Sequence, residues 1–409
     1  MRRVAVTGMA GISPLGNDWP TVERRLHARQ NAVRHMPEWD IYQGLLTRLA
    51  APAAPFELPA ARYTRKATRS MGRVSLLACR ASDLALADAG LLDDPLLSSG
   101  RVGVAYGSST GSTQAVRDFA GMLEYRTTAG LNATTYIRMM PHTTAVNIAV
   151  FFGLTGRVIT TSSACTSGSQ GIGYAFESIR HGYATAMVAG GGEELCPTEA
   201  AVFDTLFATS TKNDTPQLTP RPFDAARDGL VLGEGAATLV LEDLEHARAR
   251  GARIYAELVG FGTNCDGSHV TQPSAETMAE AMRLALETAG LAPQAIAYVN
   301  AHGTATQQGD VAETTATAKI FGHRIPFSSL KSYMGHTLGA CGALEAWMTI
   351  GMLRAGWFAP TINLDKVDPE CAPLDYLTGE GRTIDAEYVM SNNFAFGGIN
   401  TSLIFRRPG

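Results

Sequence analysis

Cys165 lies in the run Ser162-Ser163-Ala164-Cys165-Thr166-Ser167-Gly168, between an apolar stretch and a stretch of small residues with helical spacing. A thiol at a strand-to-helix turn has the makings of a nucleophile, because the positive end of the helix and its unpaired backbone N–H groups favour the thiolate. The same N–H groups can hold the oxyanion formed when sulfur attacks a carbonyl. Three further runs carry reactive side chains: Asn300-Ala301-His302-Gly303-Thr304-Ala305-Thr306, Lys331-Ser332-Tyr333-Met334-Gly335-His336-Thr337, and Asn392-Asn393-Phe394-Ala395-Phe396-Gly397-Gly398-Ile399-Asn400. Each sits where a loop leaves a strand-like segment, the usual place for sites on α/β sheets. One histidine in such a place is commonly structural. Two histidines, a lysine and a cysteine in matched settings point to a catalytic group.

The elements that must position them follow from periodicity. Strand-like segments fall at Val4 to Thr7, Val102 to Tyr106, Val158 to Thr161, Ala184 to Ala189 and Leu239 to Leu241. The stretch from Thr166 to His181 has Ile172, Ala175, Phe176 and Ile179 at helical spacing. Its three glycines, Gly168, Gly171 and Gly173, are poor helix formers, so the helix is expected to be packed tightly on all sides. The second half repeats the alternation, with strands at Ile254 to Gly260, Ile296 to Asn300, Pro326 to Leu330, near Val389 and at Ser402 to Phe405. Helices are expected at Ala275 to Ala289, Asp310 to Phe321 and Leu338 to Arg354. The pattern predicts an α/β protein with a mostly parallel sheet and two related halves, residues 1–251 and 252–409.

Composition excludes several classes. A chain of 409 residues with 45% hydrophobic content can build a large core. The net charge of -4 carries no global basic field for nucleic acid. Cysteines at 79, 165, 196, 265, 341 and 371 show no CxxC spacing, so neither a disulfide framework nor a metal site is indicated. The run after Met1-Arg2-Arg3 is too short for a signal peptide, and Ala145 to Leu154 falls short of a membrane span. A soluble, cytoplasmic protein is expected. Gly8, Gly11 and Gly16 after the first strand do not have dinucleotide-loop spacing, and Pro14 interrupts a helix start.

These motifs, with Ala189-Gly190-Gly191-Gly192-Glu193-Glu194-Leu195-Cys196, Ser210-Thr211-Lys212-Asn213-Asp214-Thr215-Pro216, Arg221-Pro222-Phe223-Asp224 and Arg227-Asp228-Gly229, resemble those of the β-ketoacyl-acyl carrier protein synthases. The likeness runs along essentially the whole chain. It implies a thiolase-like layered αβαβα fold with two duplicated halves. It implies decarboxylative Claisen condensation of a Cys-bound acyl chain with malonyl-acyl carrier protein, with no cofactor beyond the phosphopantetheine that carries the substrates. Cys165 would accept the acyl group, and His302 and His336 would stabilise the enolate. The N–H groups of Cys165 and Phe396 would hold the acyl-enzyme oxyanion. Lys331, with Glu313 as its buried partner, would order the histidines, and Glu345 falls on a family position with a network role. Thr304 and Thr306 would bond the phosphopantetheine arm. Thr110 would shape the acyl pocket, and Phe394 would line the substrate site. Phe396 would gate it on a loop made mobile by Gly397 and Gly398.

The resemblance also implies a homodimer, with a heterodimer with a related subunit as the alternative. It implies docking of an acidic carrier protein at Arg65, Lys66 and Arg69. Four departures from the family pattern bear on the substrate. Ala395 replaces a glycine before the gate, Gln307 and Gln308 replace a Pro-containing pair, Thr110 is small and polar, and Phe207 replaces a basic carrier contact. The competing readings are a non-catalytic chain-length-factor-like subunit, which lacks the nucleophile, and a thiolase, which needs a second catalytic cysteine. Cys371 lies in an irregular stretch unsuited to that role. A type III condensing enzyme would carry Asn where His336 stands.

Overall fold

The opening strand, Val4–Ile12 (β1), is buried at all but one position, as its apolar and small residues demand. The computed structural model describes Met1–Gly409. Four more strands complete the first half: Val102–Gly107 (β2), Val158–Thr161 (β3), Ala186–Glu193 (β4) and Gly235–Asp243 (β5). The second half contributes Ala256–Cys265 (β6), Ile296–Asn300 (β7), Pro326–Ser328 (β8), Tyr388–Phe394 (β9) and Ile399–Arg406 (β10). In space the strands run β3-β2-β4-β5-β1 and then β6-β10-β9-β7-β8, with Asp375–Tyr376 added at the far edge. The two sets of five are mirror sequences of one another in order. Directions repeat as well. β2 runs parallel to β3 and β4, and β7 runs parallel to β8 and β9. β5 and β10 are antiparallel to both their neighbours. The halves meet where β1 and β6 pair over three residues, Val4 to Val6.

The duplication predicted from the alternation is therefore present, but the sheet is mixed rather than mostly parallel. The reason is local. β9 returns into β10 through the tight turn Ala395–Gly398, and no crossover helix intervenes to keep the direction.

Three helices in each half repeat too. Arg73–Asp88 (α1), Thr143–Phe152 (α2) and Ser167–Arg180 (α3) precede Pro197–Asp204 (α4); Ala275–Ala289 (α5), Gln307–Phe321 (α6) and Cys341–Ala355 (α7) follow in the second half. α1 packs on β1 and β5, and α5 on β6 and β10, which forms the outer layers. α3 and α7 lie between the two sets of strands and touch both. That position explains their composition. α7 buries every residue from Cys341 to Leu353, and within that stretch Glu345 is the one charged residue and Thr349 the one hydroxyl. A helix apolar on all faces belongs inside.

The central pair can approach closely because glycines face each other's backbone. A Cβ on Gly342 would stand 2.7 Å from Ser169 N, and one on Gly168 would stand 3.0 Å from Ala343 N. This close crossing brings the start of α3, which carries Cys165, against the start of α7. Gly342→Val is expected to destabilise the fold by at least about 1–3 kcal/mol. Gly121→Ala, where the new methyl meets nothing closer than 3.9 Å, should leave stability unchanged or raise it. Thermal denaturation of the two variants checks this, and equal melting temperatures would contradict the close crossing.

Candidate active site

Cys165 sits in a short 3-10 turn, Ala164–Thr166, between β3 and α3. The turn forces Ala164 to a φ of +50°, so the nucleophile is presented on a strained backbone. Cys165 is only 5% exposed. Burial pushes its thiol up to about 11, against the opposing pull of Lys331 and of the backbone N–H groups of Phe396 and Cys165. The helix end that favours the thiolate is therefore not the dominant influence. Desolvation outweighs the helix end, and the resting group is a neutral thiol.

His336 follows β8 and the one-turn helix Lys331–Met334, and its Nε2 lies 3.0 Å from Cys165 Sγ. His302 leaves β7, and its ring stands at 89° to that of His336 with centroids 5.1 Å apart. Burial first, and then the charge of Lys331, holds both imidazoles well below the ordinary histidine range, so both are neutral at pH 7. Lys331 Nζ reaches His302 Nδ1 at 3.2 Å, and Asn393 Nδ2 approaches the same atom at 3.5 Å. Both groups are donors, so Nδ1 must accept and the proton resides on Nε2. His302 therefore presents an N–H.

Lys331 is paired with Glu345 on α7, not with Glu313. This corrects the sequence expectation. Glu313, on α6, accepts the backbone N–H groups of His302 and Gly303 at 2.7 Å each. It fixes the histidine loop rather than the lysine, and burial pushes its carboxyl up to about 8. Glu345 was legible as a family position, but its role comes from the buried helix. A carboxylate on a helix with no solvent face needs a cation. Burial alone would lower the Lys331 ammonium, and Glu345, helped by Cys341 and Glu313, more than restores it. Asn393, whose neutral amide carries no sequence signal of a role, closes the network by donating to Glu345 Oε2 at 2.7 Å.

A cavity of about 480 Å³ opens onto this group. Cys165, His302, His336, Thr304, Thr306, Phe394, Phe396 and Gly398 line it, together with Glu313. Thr304 Oγ1 and Thr306 Oγ1 are 2.9 Å apart, two hydroxyls side by side on the wall. Phe394 lies edge-on to His302. Phe396 packs on Phe203 of α4 with ring centroids 5.2 Å apart. Its loop turns at Gly397 and Gly398, with φ of +87° and +74°. Ala395 lies outside the positive-φ region, so the methyl that replaces hydrogen there adds no backbone strain.

Thr110 is not on the cavity wall; its hydroxyl lies between the carboxylates of Glu193 and Glu199. Arg65, Lys66 and Arg69 are exposed around the short helix Arg65–Thr68, also away from the wall. Phe207 stands at the mouth, 84% exposed.

The sequence matches the family "Beta-ketoacyl synthase, N-terminal domain" over residues 1–247 and its "C-terminal domain" over 255–365. This chain belongs to the beta-ketoacyl synthase family. It is 39% identical to a 3-oxoacyl-[acyl-carrier-protein] synthase 2 of Vibrio cholerae, over 99% of both chains. A crystal structure of a beta-ketoacyl synthase from Burkholderia phymatum covers all of both chains at 64% identity and a TM-score of 0.99. A chain from the complex of a type II polyketide acyl carrier protein with its ketosynthase bound to the hexaketide is similar at 30% identity and a TM-score of 0.86, again over all of both chains. The layered, duplicated architecture is the thiolase-like fold of these ketosynthases.

Two measurements test the electrostatics. Glu345→Ala strands a buried ammonium and should cost about 3–5 kcal/mol, whereas Lys331→Met with Glu345→Leu should recover much of that in denaturant unfolding. A double variant as unstable as the single one would contradict the pairing. Second, Cys165 reactivity follows its thiolate. With the thiol near 11, alkylation by iodoacetamide should rise about tenfold per pH unit from pH 7 to pH 10. A plateau above pH 8 would contradict it.

Proposed function

We infer that this chain condenses an acyl group held on Cys165 with a malonyl thioester, releasing CO2 and a 3-oxoacyl product two carbons longer. The observation that carries this is the joint placement of a thiol and two neutral imidazoles on one cavity, with Cys165 Sγ 3.0 Å from His336 Nε2. In the first step Cys165 sulfur attacks the acyl thioester carbonyl. The N–H groups of Cys165 and Phe396 take the oxyanion, the carrier thiolate leaves, and the cysteine proton ends on it. In the second, the malonyl carboxylate leaves as CO2 and its electron pair moves onto the thioester oxygen as an enolate. His302 Nε2–H, and His336 in the tautomer that carries its proton on Nε2, would donate to that oxygen, and each such donor is worth about 3 kcal/mol. Neutral imidazole suits this better than imidazolium, which would transfer its proton and quench the enolate. In the third, the enolate carbon attacks the Cys165 thioester. The new C–C bond forms, the C–S bond breaks, and sulfur takes up the one proton that the overall reaction draws from solvent.

None of these steps calls on a metal or a redox cofactor. The phosphopantetheine arm of the carrier enters past Thr304 and Thr306, whose hydroxyls face the cavity. Arg65, Lys66 and Arg69 offer exposed positive charge for an acidic carrier protein. Phe207 gives the mouth an apolar contact in place of a charge. The partner protomer is a second copy of this chain. β3 is the edge of the sheet, with Val158 exposed, and Leu123, Tyr125, Tyr136 and Val150 are exposed in the same half. An edge strand flanked by apolar surface invites such pairing. A reducing, cytoplasmic compartment suits a reaction that needs Cys165 free, and no helix is long and apolar enough to cross a membrane. The halves divide at 251/252, between β5 and β6. Fatty-acid elongation and a dedicated polyene or polyketide pathway use the same chemistry. The chain-length-factor reading is disfavoured by the paired thiol and imidazole.

Incubation with acyl-carrier protein followed by intact-mass measurement tests the assignment. Wild type should gain one acyl group, Cys165→Ala none, and His302→Ala should still acylate while condensation falls about 10²–10³-fold. Acylation of Cys165→Ala, or full condensation by His302→Ala, would overturn it.

A further inference from the structure

Behind Phe203 and Phe396 lies a second polar cluster that the condensation steps do not use. Glu193, at the end of β4, accepts Ser108 Oγ at 2.9 Å, Ser109 N at 2.7 Å, Thr110 N at 3.3 Å and Gly339 N at 3.0 Å, as well as Ser109 Oγ. Burial pushes its carboxyl up, and these donors, which all point at it, oppose that and favour the carboxylate over the acid. Its proximity to Cys165 contributes to the raised thiol. Thr110 Oγ1 lies 2.9 Å from Glu193 Oε1 and 2.7 Å from Glu199 Oε1. That hydroxyl has one hydrogen and cannot donate to two carboxylates. A second proton must therefore reside on Glu199, running Glu199 Oε1–H to Thr110 and Thr110 to Glu193. Burial, and next the charge of Glu193, favours the protonated form of Glu199.

Glu199 is 5% exposed, and its other oxygen, Oε2, is buried with no partner. With the proton on Oε1, Oε2 is a carbonyl acceptor, and leaving it bare costs about 1–3 kcal/mol. Glu199 and Phe203 are four residues apart on α4, so they share one face of that helix. Phe203 lines the Cys165 cavity and touches Phe396. The bare acceptor is thus one helical turn behind the aromatic pair that walls the nucleophile.

We propose that Glu199, held neutral and oriented through Thr110 by Glu193, is a specificity-determining residue that accepts a hydrogen bond from a hydroxyl at the distal end of the acyl chain carried on Cys165. The chain passes the Phe203–Phe396 pair to reach it. The favoured substrate is a hydroxyl-bearing acyl thioester, aliphatic or phenolic, over its methyl-capped isostere. This rests on Cys165 acylation as inferred above. A site built to bond a substrate hydroxyl can reject the analogue that lacks it by as much as about 10⁴–10⁵-fold, whereas an apolar pocket reaches only about 10–200-fold.

The test is single-turnover acylation of Cys165, followed by intact mass, with two length series of carrier-bound thioesters. One series pairs ω-hydroxyacyl with ω-methyl chains; the other pairs 4-hydroxyphenyl with 4-methylphenyl chains. Wild type should favour the hydroxyl member of at least one pair by about 10²-fold. Which series shows it distinguishes an aliphatic from a phenolic terminus. Glu199→Gln keeps an acceptor toward the chain and a donor toward Thr110, and should keep the preference. Glu199→Leu should abolish or reverse it. Thr110→Val, which cuts the link to Glu193, is the second variant if leucine prevents folding, and it should weaken the preference. Melting temperatures and alkylation of Cys165 report whether each variant is folded. Equal rates for both members of every pair in wild type, or a preference untouched by Glu199→Leu and Thr110→Val, overturns the proposal. Absence of any adduct on Cys165 would instead overturn the condensation reading itself.

Discussion

The buried ammonium of Lys331 is the charge around which the site is organised. It comes from the start of the segment after β8, lies fully inside the protein, and is held by Glu345 from the middle of α7. Desolvating two charges is expensive, and it is offset only by close geometry and satisfied hydrogen bonds. That requirement fixes three elements at once. β8 must deliver Lys331, α7 must deliver Glu345, and β9 must deliver Asn393 to fill the remaining carboxylate oxygen. His302 then docks Nδ1 on the same ammonium, which sets its tautomer. A slip of any one element would leave a buried charge bare.

The duplicated fold explains why such a centre can be built from distant residues. Carboxyl ends of equivalent strands converge from both halves. Cys165 follows β3, and Lys331 follows its counterpart β8. His302 follows β7, and Ser108 to Thr110 follow its counterpart β2. Asn393 lies near the end of β9, and Glu193 ends its counterpart β4. One half supplies the nucleophile and a hydrogen-bonded carboxyl cluster; the other supplies a cation and two imidazoles. Three non-glycine residues with positive φ, Ala164, Ala305 and Leu338, stand one to three residues from Cys165, His302 or His336. Each conformation costs about 1–3 kcal/mol, and it persists because packed layers on both sides leave the loops no alternative.

Much of this was legible in the residues. Alternating segments predicted the strands and helices, and glycines at 168, 171 and 173 predicted a tightly enclosed helix. Cys165, His302 and His336 stood out because each follows a strand. What could not be read was pairing across the central layer. Glu313 and Glu345 are both acidic residues on helices, and only the threading of α7 through the middle of the molecule decides which faces Lys331. Thr110 was expected to shape the acyl pocket, and its place between two carboxylates could not be read, since Glu193 and Glu199 lie more than 80 residues away. The mixed sheet was likewise hidden, because strand direction is set by the connection and not by the strand.

Desolvation acts on the nucleophile and the histidines in opposite chemical senses and to the same end. It raises the thiol of Cys165 and lowers both imidazoles, so the resting site carries no thiolate and no imidazolium. A standing thiolate would react with any electrophile that entered, and an imidazolium would protonate the enolate before it could form a carbon–carbon bond. Charge is instead generated only when a thioester is present to receive it. The attack on that thioester moves negative charge from sulfur to an oxygen already facing N–H donors. Such preorganised donors act most strongly where water is excluded. The burial that makes the free thiol a weak nucleophile therefore strengthens the donors that meet the oxyanion, and it is the same burial that encloses Lys331 and Glu345.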